Sequence, residues 1–127
     1  MLISVNEQSS QPIYLQIVNQ VRQQLREGII KPGDELPSVR ELALILGVNM
    51  HTVRSAYLKL RDQEIINLRL GRRATVTRIP RSADSKEVQQ ELHSRIQELI
   101  TDGLLANLTA ANIRKIMEEE LSRIKEE

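Results

Sequence analysis

From Pro12 onward the chain repeats apolar residues at three- and four-residue steps, at Tyr14, Ile17, Val18, Val21 and Leu25. That period predicts a helix with one buried stripe, opened by the proline and ended by Gly28. The segment KPGDELP, residues 31 to 37, reads as a turn because of its Pro-Gly pair and second proline. Ser38 and Glu41 then have the spacing of a capping box, in which each side chain satisfies the other residue's backbone N–H. A short second helix follows, with Val39, Leu42, Ala43 and Leu46 inward and Gly47 as its stop. Asn49 is placed to cap a third helix whose inner face is Val53, Ala56, Tyr57 and Leu60. Only Gly47 and Val48 separate the second helix from this cap, so the two helices must cross sharply, as in a helix-turn-helix.

After Glu64 the period shortens to two. Ile66, Leu68 and Leu70 point one way, with Asn67 and Arg69 the other; Gly71 offers a turn, and a second strand is expected around Thr75 to Ile79. The result is a two-stranded ribbon with an arginine-rich tip. Pro80 begins a short polar connector, PRSADSKE. Helical spacing then returns at Val88, Leu92, Ile96, Leu99 and Ile100, ending near Gly103, and again after the cap candidate Thr109 at Ile113, Ile116, Met117, Leu121 and Ile124. Two helices of this length cannot hide both stripes by themselves. The residues Leu92, Ile96, Leu99, Ile100, Ile113, Ile116, Met117 and Leu121 therefore predict a second copy of the chain as the covering surface.

The expected fold is thus mainly α with a small two-stranded wing: a winged helix-turn-helix over residues 1–80, followed by a short α-helical dimerisation tail over residues 81–127. Charge divides at the same place. Residues 1–80 hold 11 Lys and Arg against 7 Asp and Glu, whereas residues 81–127 hold 7 against 10, so a basic head precedes an acidic tail. From Ile65 to Ala83 there is no acid, but there are Arg69, Arg72, Arg73, Arg78 and Arg81, which makes nucleic acid the candidate partner of the head. The chain has no cysteine, so disulfides, thiolate metal sites and cysteine nucleophiles are excluded. The sequence has no apolar run long enough for a membrane span and no signal-peptide pattern at MLISVNEQSS, so a cytoplasmic protein without membrane contact is expected.

A helix-turn-helix reads DNA by laying the N-terminal part of its second helix in the major groove. At about 100° per residue, His51, Ser55, Leu58 and Asp62 fall opposite the Val53–Tyr57–Leu60 stripe, with Thr52, Arg54 and Lys59 on the flanks. The wing's arginines suit phosphate or a narrow minor groove. Duller readings stand beside these. Met50 is equally placed to pack at the edge of the core, Arg40 to form an ion pair within the fold, and Glu118, Glu119 and Glu120 to be a solvated helix face. His51 and His93 are the only histidines and have no dense carboxylate group beside them, so neither a metal, a cofactor nor a catalytic role is expected. No Gly-x-Ser-x-Gly elbow and no phosphate-binding glycine loop is present, and the chain is not expected to be an enzyme.

The run PIYLQIVNQVRQQLREGIIKPGDELPSVRELALILGVNMHTVRSAYLKL, continued by EIINLRLGRRATV, resembles the DNA-binding domain of the GntR family of bacterial transcription regulators. The short two-helix tail resembles that of the small subfamily named after YtrA, whose members lack a large effector domain and dimerise through the tail. The resemblance implies DNA contacts at Arg40, Asn49, His51, Thr52, Arg54, Gly71 and Arg72, with Met50 and Arg73 at positions that depart from the family pattern. Met50 stands where an arginine is common, Glu64 where a glycine usually ends the recognition helix, and Arg73 where the wing usually has a second glycine. An arginine at position 50 would make a bidentate contact to guanine; methionine can touch only a thymine methyl or pack sideways.

The function these readings imply is a homodimeric, sequence-specific repressor that binds a palindromic double-stranded operator, with control of a neighbouring transporter operon suggested by the subfamily. A small-molecule effector, if one exists, would sit at the dimer interface or between tail and wing. The rival expectations are a winged-helix protein-interaction module and an architectural DNA binder without sequence preference.

Overall fold

The computed structural model describes residues 1–69, 71–77 and 85–124. Leu70, Arg78, Ile79, Pro80 and Arg81, which the strand pattern, the basic run and the proposed boundary include, lie outside them. The chain divides into two compact units, Met1–Ile79 and Pro80–Glu127. The first carries helices α1 (Ile13–Arg26), α2 (Val39–Leu46) and α3 (Met50–Asp62) and strands β1 (Ile66–Asn67) and β2 (Thr75–Val76). The second carries α4 (Lys86–Leu105) and α5 (Ala110–Leu121). The fold is a mainly helical winged helix.

In the head the capping signals act as the sequence suggests. Ser38 Oγ accepts from Glu41 N at 3.1 Å, and Ser38 N donates to Glu41 Oε1 at 3.3 Å. Gly47 takes the left-handed conformation at φ 67°, turning the chain toward Asn49, whose Oδ1 accepts from His51 N at 2.7 Å. The α1 and α2 faces then close on α3: Ile17, Val18 and Val21 of α1, Leu42 and Ala43 of α2, and Val53, Ala56, Tyr57 and Leu60 of α3 are all buried. Burying that apolar area, at about 25 cal/mol per Å², is the main force holding three short helices that would be marginal alone.

The wing differs from expectation in its partners. Ile66 pairs with Val76 and Asn67 with Thr75, so each strand is only two residues long. The turn segment is the missing third member. Gly33 N donates to Val76 O at 2.9 Å, Val76 N to Asp34 O at 2.8 Å, and Leu36 N to Ala74 O at 2.8 Å. The 31–37 turn therefore folds onto the free edge of β2 and buries Leu36 beneath it.

A second feature carries no periodic signal in the sequence. Along Met1–Asn6 burial alternates residue by residue, with Met1, Ile3 and Val5 packed on the core. Three glutamines on one face of α1 bind the backbone of the alternate residues. Gln16 Nε2 donates to Asn6 O at 3.0 Å and its Oε1 accepts from Asn6 N at 2.8 Å. Gln20 makes the same two-way pairing with Ser4, and Gln24 Nε2 donates to Leu2 O. The spacing explains the match: four helical residues rise about 6 Å and two extended residues about 6.6 Å. Side-chain amides thus stand in for a neighbouring strand.

In the second unit, α4 ends at Leu105, near Gly103 as expected. The left-handed position is Asn107, at φ 70°. Leu108 N donates to Gly103 O at 3.0 Å and Asn107 N to Leu104 O at 3.1 Å, the paired bonds of a Schellman ending. Gly103 serves instead as a point of close approach: a Cβ there would lie 2.8 Å from Ile113 Cδ1. Thr109 caps α5 in a capping box with Asn112, and the helix ends at Leu121, short of Ile124. Neither α4 nor α5 contains a buried residue.

Candidate nucleic-acid interface

The site begins at the first turn of α3. Asn49 spends its Oδ1 on the helix cap, leaving its amide N–H groups as donors. Met50, His51, Arg54 and Ser55 are exposed and Thr52 is half-buried, while Val53 between them is fully buried. The Val53–Ala56–Tyr57–Leu60 stripe thereby fixes the rotation of the helix about its axis and turns the polar face outward. Burial, reinforced by the Glu41 carboxylate, pushes the Tyr57 hydroxyl far above its ordinary range. It stays protonated and donates to Pro37 O at 2.6 Å, anchoring α3 to the segment that leads into α2.

The head also carries cations without acidic partners among the described residues. Arg40, exposed in the first turn of α2, shares an open groove of about 620 Å³ with Leu44, Val48 and Met50. Arg69 and Arg72 line a second groove of about 590 Å³ on the wing, together with Asn67, Glu35 and Thr75. Among the described residues, Arg40, Arg54, Arg69 and Arg72 make no ion pair. Gly71, at φ 74°, sits exposed at the wing turn.

Arg73 behaves differently. Its Nη2 lies 2.9 Å from Glu41 Oε2, and the other oxygen of that carboxylate accepts from Ser38 N. The pair ties the wing to the start of α2, one residue from Arg40. Arg73 thus pairs within the fold while remaining half exposed, whereas Arg40, for which an ion pair was the duller reading, makes none among the described residues. Exposed pairs of this kind contribute about 0–1 kcal/mol, so its effect is on position more than stability. The residues that sequence reasoning missed are Leu44, Val48 and Glu41. Leu44 was legible only as a position left over from the inner stripe of α2.

Among the described residues no three of His, Asp and Glu cluster as a metal site, and no helix is long and apolar enough to cross a membrane. The site offers an exposed helix N-terminus together with guanidinium groups on α2, α3 and the wing that make no ion pair among the described residues.

Comparison with known proteins agrees with that geometry. Residues 13–76, which run from α1 through β2, match the family described as bacterial regulatory proteins, gntR family. The chain belongs to the GntR family. The HTH-type transcriptional repressor YtrA of Bacillus subtilis is 33% identical over 118 residues, covering 93% of this chain and 91% of that protein. A transcriptional antiterminator from Listeria monocytogenes has the same architecture, with a TM-score of 0.83 at 28% identity over 100% of this chain and 96% of its own. AraR(DBD) in complex with operator ORX1 aligns with 60% of this chain and 96% of its own, with a TM-score of 0.54 at 26% identity. This GntR chain therefore matches YtrA along nearly its whole length, and its relatives named here are regulators rather than enzymes.

Proposed function

We propose that this GntR chain is a homodimeric transcription repressor that binds a palindromic double-stranded operator. The observation that carries the reading is the exposed first turn of α3, with Arg40 in the groove beside Met50 and Arg40 and Arg54 free of ion pairs among the described residues, in a fold shared with a protein solved on its operator. The first turn of α3, with Asn49, His51, Thr52 and Arg54, enters the major groove and reads base edges. Arg40, Arg72 and the Gly71 turn meet the backbone on either side, which sets register and gives binding its salt dependence. Arg73 holds the wing against α2 so that these contacts act together.

The tail supplies the second half-site. Leu92, Ile96, Leu99, Ile100, Ile113, Ile116, Met117 and Leu121 lie along α4 and α5, and all but Ile96 and Ile113 are exposed in the single chain. Between the helices an open apolar groove of about 340 Å³ is lined by Ile96, Ile100, Leu104, Ile113 and Met117. A second copy related by a two-fold axis covers these faces, and its symmetry imposes the palindrome. The head, residues 1–80, and the tail, residues 81–127, are then the DNA-binding and dimerisation domains. Repression follows by occlusion of the promoter. The groove is also where a small-molecule effector would alter the angle between heads and so the operator affinity, and the subfamily points to a transporter operon as the target.

The test pairs Leu99→Glu with Ile116→Glu in the full chain. Sedimentation should show the parent as a dimer and the double variant as a folded monomer. Its affinity for a palindromic duplex should fall about 10²-fold, to that of a half-site, because the linkage of two sites is lost. A double variant that still dimerises, or that binds the palindrome undiminished, would contradict the assignment.

A further inference from the structure

The groove between α2 and the first turn of α3 has a chemistry unlike the rest of the face. Its lining is Arg40, Ala43, Leu44, Gly47, Val48 and Met50. Apart from the guanidinium at its rim, no side chain there is a strong donor or acceptor. Met50 is 45% exposed and Leu44 78% exposed, so two large apolar side chains are held open to water beside the helix end that meets the bases. Met50 is therefore not spent on the core, although the sequence left that reading open. Gly47 has no side chain to fill the concavity, and nothing lies within 4 Å of where its Cβ would be.

We propose that this groove takes the 5-methyl group of a thymine in each operator half-site, with Met50 as the residue that selects it and Leu44 as the opposing wall. The proposal rests on the DNA-binding reading above and deepens it. Of the four bases, thymine alone carries an apolar group on its major-groove edge; the others present only donors and acceptors. A thioether and a leucine offer nothing to an exocyclic amine, and a guanine or adenine edge pressed into such a groove would lose its water without gaining a partner. Arg40, cationic and unpaired among the described residues, stands at the rim where the adjoining phosphate would lie. Charge complementarity thus favours nucleic acid over an apolar protein segment as the occupant.

Thymine and deoxyuridine differ by that methyl alone, which makes the test clean. An operator is selected from a random duplex pool with the full-length protein, and each thymine is then replaced singly by deoxyuridine. Burying one methyl-sized group predicts about a fourfold loss of affinity at one position per half-site. The same replacement should change affinity less than twofold in Met50→Ala, and should lose part of its effect in Leu44→Ala. Both substitutions are at exposed helical positions, so circular dichroism should show unchanged folding. A flat deoxyuridine scan on a tightly bound operator would overturn the groove assignment alone, as would an effect that persists undiminished in Met50→Ala. Failure to select any preferred duplex would overturn the DNA-binding reading and this inference together.

Discussion

Glu64 shows how a single residue is held against its own preference. It is at φ 61°, where its N–H donates to Arg61 O at 2.8 Å and the next residue, Ile65, donates to Leu60 O at 2.9 Å. These are the two bonds that close the C-terminal end of α3, and they require a left-handed residue at this point. A β-carbon in that conformation costs on the order of 1–2 kcal/mol. The cost is accepted because the ending aims Ile65 and Ile66 back into the core, where Ile66 is buried and starts the wing. Glu64→Gly should therefore stabilise the protein by about 1 kcal/mol, which for a head of this size raises its unfolding temperature by about 4–8 °C. Differential scanning calorimetry checks this, and an unchanged or lowered transition would show that the Glu64 side chain compensates for its backbone. The glycine expectation at this position, drawn from the family pattern, thus becomes a statement about strain.

At the scale of elements, the parts written in local chemistry were readable and the parts made by distant partners were not. Ser38 with Glu41, Gly47, Asn49 and Thr109 act within a few residues of themselves, so their roles as caps and stops could be read directly. The inner stripe of α3 was equally legible, since burial follows the helical period. By contrast, nothing local tells that residues 33–36 pair with β2, or that Arg73 reaches Glu41, 32 residues away. Nor does anything local tell that Gly103, near the end of α4, admits Ile113 from α5. The glutamines of α1 carry no local signal because their partners lie in Met1–Asn6. Gln20 is the informative position, since both of its amide atoms pair with Ser4, whereas Gln24 Oε1 has no partner. Gln20→Leu should release the Ser4 amide, raising its hydrogen-exchange rate about tenfold while the amides of α3 remain protected. Equal protection of Ser4 in the variant would show that Ile3 and Val5 alone hold the segment.

At the scale of the whole molecule, the division of charge and burial assigns work to each unit. The head has a closed core and an exposed cationic face. The tail has two capped helices, neither of which contains a buried residue, and in the proposed dimer a second copy covers their apolar stripes. Charge and period mark the two units in the sequence, whereas the groove shared by Arg40, Leu44 and Met50 and the ion pair between Arg73 and Glu41 depend on three-dimensional neighbours. In the proposed function this face recognises one DNA sequence above others. That recognition is tested most directly by fluorescence anisotropy of the full-length protein against labelled duplexes tiling its own upstream region, with scrambled duplexes as competitors and a salt titration. One palindromic segment should be preferred by about 10³-fold or more at physiological salt; equal, steeply salt-dependent binding to every duplex, or no binding at all, would overturn the proposed function.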